Sequence, residues 1–167
     1  MMLFSCPVCN SDIIPAFGPM DSPVLIVGEF PGEVEIEKGY PFAGKTGGIL
    51  RQELAGLEVE LREWRRCNLW LHPANKNEEC LKFSAAKVIE EAKTRDAILL
   101  IGSDAVKFFA NKSVSSVAGL RVKCPLLSAP LIMASPNPAM IFKRGRIGEV
   151  RLSLQKFVAA CKKEGYL

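Results

Sequence analysis

Short unbroken apolar runs punctuate the chain: VLIV at Val24–Val27, AILLI at Ala97–Ile101 and LIMA at Leu131–Ala134. Runs of that length, closed by Pro or Gly, predict strands buried on both faces. A mixed run at Arg65–Leu71 predicts another strand, and Leu120–Cys124 a further strand-like piece. Between them the spacing turns helical. Thr46 is placed to cap a helix over Gly47–Ala55, the polar PANKNEE loop leads into a helix reaching about Arg95, and Ser103 precedes the short helix DAVKFFA. Near the end, Val150, Leu154, Phe157, Val158 and Cys161 fall on one helical face. Residues 1–22 lack either period and read as an irregular arm. Strands that alternate with helices predict an α/β fold, a largely parallel sheet covered on both sides. Sites in such folds gather at the carboxyl ends of strands. GEFPG, the residues after Asn68, and SPNPAM all fall there.

Composition narrows this picture. The 167 residues suffice for one domain with a sizeable core, and 49% hydrophobic with 24% charged residues suits a folded chain. The net charge of +4 is a mild bias towards polyanions. No segment reaches membrane-spanning length, and MMLFSCPVCNSD is unlike a signal peptide, so an intracellular, cytoplasmic location is expected. The six cysteines are then read as thiols or metal ligands. Cys6-Pro-Val-Cys9 has the spacing of a chelating pair.

The segment from Gly28 to Leu50, GEFPGEVEIEKGYPFAGKTGGIL, is a long Gly/Pro-rich loop leaving a buried strand. Long loops in compact domains are usually functional. Gly39–Thr46 also spells G-x-x-x-x-G-K-[ST], the phosphate-binding loop pattern. The physics opposes that match. The strand has ended ten residues earlier, and Pro41 removes an N–H from the cradle such a loop needs.

The same segment resembles the first motif of the family 4 uracil-DNA glycosylases, approximately GEAPGxxEDxxGxPFVGxAGxLL. The resemblance continues in order through Asn68, AILLIGSDA and SPNPAMIF, over nearly the whole chain. It implies a three-layer α/β/α sandwich with a four-stranded, mostly parallel sheet, acting as a monomer on uracil-containing DNA. Excision needs a flipped nucleotide, a surface for the base and stabilisation of positive charge on the sugar. Phe42 supplies the stacking face, Asn68 the planar donor–acceptor pair that reads uracil, and Gly28 and Phe30 the remaining base contacts. Glu29 and Glu35 match the family's two loop acids, which orient water and oppose the sugar charge. The resemblance implies that Glu29 also crowds the uracil C5 position and so excludes thymine. Asn137 stands where the family usually has His, and as a neutral amide it supports the leaving uracil less strongly. Ser135 is placed to grip a phosphate, Met140 and Ile141 (with Phe142) to wedge the duplex, and Lys143 and Arg144 to meet its backbone. A second departure is Ile36, where the family has aspartate. Both departures motivate a rival reading, a relative that binds uracil-containing DNA without turnover. Nucleotide hydrolysis at the phosphate-loop match ranks below it.

The resemblance also implies a 4Fe-4S cluster held by four cysteines. Cys6, Cys9 and Cys80 match three of them, and His72, the only histidine, stands at the other position. Imidazole does ligate cluster iron in some proteins. The expected ligands are therefore Cys6, Cys9, His72 and Cys80, with a zinc ion on the same set as the alternative. Cys67 is a rival ligand, but it neighbours Asn68 on a strand and points to the opposite face. Cys124 and Cys161 are read as buried thiols.

Overall fold

The computed structural model describes residues 4–140, 142 and 145–167. Four strands, β1 (Val24–Gly28), β2 (Arg65–Asn68), β3 (Ala97–Ile101) and β4 (Leu131–Ser135), form one all-parallel sheet in the order β2-β1-β3-β4. Every strand residue is buried. Alternate side chains feed two separate cores. Leu25, Val27, Ile98, Leu100, Ile132 and Ala134 pack on one face. Their partners there come from α3 (Glu78–Ala92) and α4 (Ser103–Ala110), chiefly Ala85, Val88, Val106 and Phe109. Val24, Ile26, Leu99, Ile101, Leu131 and Met133 pack on the other, against α2 (Lys45–Ala55) and α6 (Ile147–Glu164). This period-two division makes three layers, helix, sheet and helix, as expected. The face of α6 is the one its spacing predicts, with Val150, Leu154, Phe157, Val158 and Cys161 all buried.

Several boundaries differ from expectation, each for a local reason. Glu33–Lys38 is a short helix, α1, rather than loop. Glu35 Oε2 accepts from the Gly32 N–H at 3.1 Å, and left-handed Gly39 (φ 78°) ends the helix. Gly44, not Thr46, caps α2. Gly102 (φ 96°), not Ser103, caps α4. Strand β2 stops at Asn68, three residues early: the Leu69 N–H still makes the ladder bond to Gly28 O, but the next N–H, that of Trp70, pairs with Glu29 O and breaks the alternation. Helix α3 stops at Ala92, short of Arg95. Leu120–Cys124 is no strand. A short helix α5 (Val114–Val117) precedes it, and the segment only straps the β4 edge through an isolated Arg121–Met133 bridge and a Val122 N–H to Ile132 O bond.

The sheet order sets the site. Strands leave β1 in opposite directions, towards β2 and towards β3, so their carboxyl ends splay and open a crevice beyond Gly28.

Candidate functional site

Gly28 forms the floor of a cleft of ≈ 320 Å³ at these strand ends. A Cβ placed there would lie 2.4 Å from Asn68 Oδ1 and 2.8 Å from Phe42 Cζ. The aromatic face and the carboxamide therefore meet over the one strand-end residue without a side chain. Asn68 is aligned because β2 pairs in register with β1, Gly28 opposite Asn68. Phe42 is placed differently. It adopts a left-handed backbone (φ 61°), uncommon for a bulky residue, and its ring is almost fully buried. Two neighbours hold it. Arg51 Nη1 donates to Phe42 O at 3.3 Å, and a Cβ on Gly47 would stand 1.7 Å from that same oxygen. Left-handed backbone at a bulky residue survives only where its surroundings impose it, and here they do.

Glu29 follows Gly28 into the crevice. Its Oε1 accepts from the Asp104 N–H in the first turn of α4 at 2.9 Å, and its Oε2 from Asn137 Nδ2 at 2.6 Å. A Cβ on Gly102 would meet Glu29 Cδ at 2.3 Å, so glycine is needed for this approach. Asn137 is oriented in turn by the Ala139 N–H, which donates to its Oδ1 at 2.9 Å. One amide hydrogen of Asn137 faces Glu29, leaving its second for another acceptor.

Glu35 has a different place from that expected of a free catalytic acid. One oxygen takes the Gly32 N–H and the other the Gly44 N–H at 2.9 Å, so the carboxylate ties the start of α1 to the start of α2. Its rim position still lines the cleft, as do Phe30, half exposed, and Met140. Ser135 requires a correction. Its side chain is fully buried, and its hydroxyl donates to Pro136 O at 3.1 Å, so it presents no group to a phosphate. Ile141, Lys143 and Arg144 lie outside the described residues. Ile36 points outward from α1, half exposed, away from the cleft lining. In the phosphate-loop octet, Gly39 ends a helix and Gly44 begins another, so the strand–loop–helix cradle is not built. Thr46 and Ile101 line the cleft, although the sequence marked them only as a helix cap and a strand end and not as uracil-site residues. For Gly102 and Gly47 the available signal was a glycine at a helix start.

A second cluster lies apart from the cleft lining. The ligand atoms of Cys6, Cys9, His72 and Cys80 all lie within 4.8 Å of one another. Cys6 Sγ and Cys80 Sγ are 3.9 Å apart, and Cys9 Sγ is 3.6 Å from His72 Nε2. His72 Nδ1–H donates to Pro73 O at 2.8 Å, the tautomer that leaves Nε2 with a lone pair. The Ser11 hydroxyl and backbone hold the Cys9 thiol down to about 6. At Cys80, the Asn75 amide pulls the same way, but burial and the neighbouring Cys9 and Cys6 outweigh it and leave that thiol raised. Cys67 is not one of the four. It is buried in β2, and burial pushes its thiol well up, as it does Cys124 to about 11 and Cys161 to about 12. Three thiols and an imidazole suit iron or zinc alike. The spacing does not fit a four-iron cube, in which every ligand binds a different iron and the ligand atoms stand correspondingly farther apart.

The family described as the uracil DNA glycosylase superfamily matches residues 15–160. The chain belongs to that superfamily. It is 27% identical over 177 residues to a type-4 uracil-DNA glycosylase of Thermotoga maritima, covering 96% of this chain and 90% of that protein. A type-4 uracil-DNA glycosylase of Pyrobaculum aerophilum is 41% identical over 56 residues, 32% of this chain and 29% of its own length. Among the described residues no helix is long and apolar enough to cross a membrane.

Proposed function

We propose that this superfamily member is a monofunctional uracil-DNA glycosylase, which flips uracil out of DNA and hydrolyses its N-glycosidic bond. The observation that carries the reading is the meeting of Phe42 and Asn68 over Gly28, with the Glu29 carboxylate beside them. A planar pyrimidine enters the gap and stacks on Phe42. Asn68 donates to a uracil carbonyl and accepts from its ring N–H. Cytosine offers the reverse pattern and is rejected. Glu29, fixed by Asp104 N–H and Asn137, orients a water for attack at the sugar and opposes the positive charge that grows there. The second amide hydrogen of Asn137 meets a carbonyl of the departing base. Glu35 serves by holding the loop rather than by handling protons.

Met140 at the rim, with half-exposed Phe30, supports a contact with the strand from which the base leaves. Ile141, Lys143 and Arg144 are assigned to the same DNA contact from sequence alone. The reading makes the protein a single domain, 1–167 with its metal-binding arm, that works as an intracellular monomer on DNA. None of the four metal-ligand candidates lines the cleft, so no excision step is assigned to a metal. A 4Fe-4S cluster, implied by the type-4 resemblance, and a zinc ion are the two occupants to distinguish, and the ligand spacing favours zinc.

Incubation with uracil-containing oligonucleotides followed by alkali tests the function. Strand scission is expected. Retarded but intact DNA would instead support the binding-only relative.

A further inference from the structure

We infer that Cys6, Cys9, His72 and Cys80 form a mononuclear zinc site in place of the cluster. Four ligands of one tetrahedral ion have fixed separations. With Zn–S near 2.3 Å and Zn–N near 2.0–2.1 Å, two sulfurs stand about 3.8 Å apart, and a sulfur and a nitrogen about 3.6 Å. Cys6 Sγ to Cys80 Sγ is 3.9 Å and Cys9 Sγ to His72 Nε2 is 3.6 Å. The two pairs together use all four ligands. A cube places an iron–iron edge between any two of its terminal ligands, and no pair here exceeds 4.8 Å.

The surroundings agree with one ion. His72 is buried, and its Nδ1–H is spent on Pro73 O, which fixes the ring with Nε2 towards the three sulfurs. Asn75 Nδ2 donates to Cys80 Sγ at 3.4 Å, a partner that spreads the charge of a thiolate-rich ion. Three thiolates and a neutral imidazole form a common structural zinc set. The ion would tie the arm, through Cys6 and Cys9, to the exit of β2 and to the first turn of α3. His72 is four residues beyond Asn68, so the site also steadies the strand end that carries the uracil-reading amide.

The test does not depend on excision. The full chain is expressed with iron and cysteine supplied and purified without oxygen, then assayed for zinc, iron and acid-labile sulfide. One zinc per chain, without stoichiometric iron or sulfide, in a colourless protein is expected. Iron and sulfide in equal, several-fold excess over chain, with broad visible absorbance, would overturn the proposal. Cobalt(II) titration of the metal-free chain gives a second measurement. A single equivalent with intense tetrahedral ligand-field bands and thiolate charge transfer is expected. His72→Ala should weaken cobalt binding by more than the roughly 10–100-fold that loss of an outer partner costs. His72→Cys should keep one ion, with a spectrum shifted as for a fourth sulfur. Weak octahedral cobalt bands, unaffected by either change at His72, would contradict the assignment.

Discussion

Gly28 shows how far one residue can decide a site. In the sequence it ends a strand; in the fold its missing Cβ is the gap between Phe42 and Asn68. Gly28→Ala should fill that gap at a stability cost of about 1–3 kcal/mol. Single-turnover assays are expected to show excision nearly abolished while circular dichroism stays native; retained excision would mean the base binds elsewhere. Phe42 was legible as an aromatic in a loop rather than on a periodic face, whereas Asn68 was legible through the resemblance of its position to the family's uracil-reading asparagine, since Asn at a strand end is otherwise a common turn residue. Glu35 was legible only as an acid. Its two acceptor bonds, to Gly32 N–H and Gly44 N–H, depend on where a second helix begins, which no local pattern states. Glu35→Gln loses one acceptor, leaving an amide unsatisfied. A loss of about 1–2 kcal/mol in denaturant unfolding and a raised KM are expected, with the pH profile of kcat unchanged. A shifted kcat profile would instead mark Glu35 as a proton-handling group. The bond from Asn137 to Glu29 was hidden for a similar reason, since the two residues are 108 apart in sequence.

At the scale of elements, apolar runs and the stripe of α6 were enough to place the sheet and the long helices. The short helix α1 escaped because it buries no residue and depends on its caps. The segment beside β4 was misread as a strand because its apolar content serves a strap over Ile132 and Met133. Two changes test how elements hold the site. Gly47 lies in the first turn of α2, directly against Phe42 O. Gly47→Ala would ordinarily favour a helix by about 1 kcal/mol. Here it should push the Phe42 loop out of place, so uracil excision is expected to fall far more than thermal stability; an activity equal to wild type would contradict the loop's role. Asn77 caps α3 with its side-chain oxygen, accepting from the Glu79 and Cys80 N–H groups at 2.9 and 3.3 Å. Asn77→Ala should cost about 1 kcal/mol in thermal denaturation and weaken metal retention, because Cys80 sits in the turn the cap fixes.

Across the whole molecule, a charged knot joins the arm to the sheet. Arg65 grips Glu91 with two bonds of 2.9 and 2.8 Å and donates to Gly18 O, while Arg95 donates to Met20 O and Ser22 O and also reaches Glu91. Arg65, foremost, holds the Glu91 carboxyl below its ordinary value. A carboxylate lowered by folding stabilises above its unfolded pKa, and that contribution fades as pH falls through the folded value. Stability should therefore drop on acidification below about pH 4, and Glu91→Gln, at a partly solvent-screened site, should be less stable at neutral pH by about 1–2 kcal/mol with a shallower acid limb. Equal acid limbs for the two proteins would show that the knot does not govern the arm. None of this was readable beforehand, since charges in sequence carry no sign of which are buried together. Over the described residues 4–22 the arm is irregular, as its lack of periodicity predicts, and its anchoring by the Arg65 and Arg95 guanidinium groups is a property of the assembled fold.

The most direct measurement is the single-turnover rate of uracil release from a labelled oligonucleotide by the native chain and by Asn68→Ala. Release by the native chain, slowed by a factor on the order of 100 or more in a variant that remains folded, is the expected result. No release by the native chain, or an undiminished rate in Asn68→Ala, would contradict a pocket built on that amide.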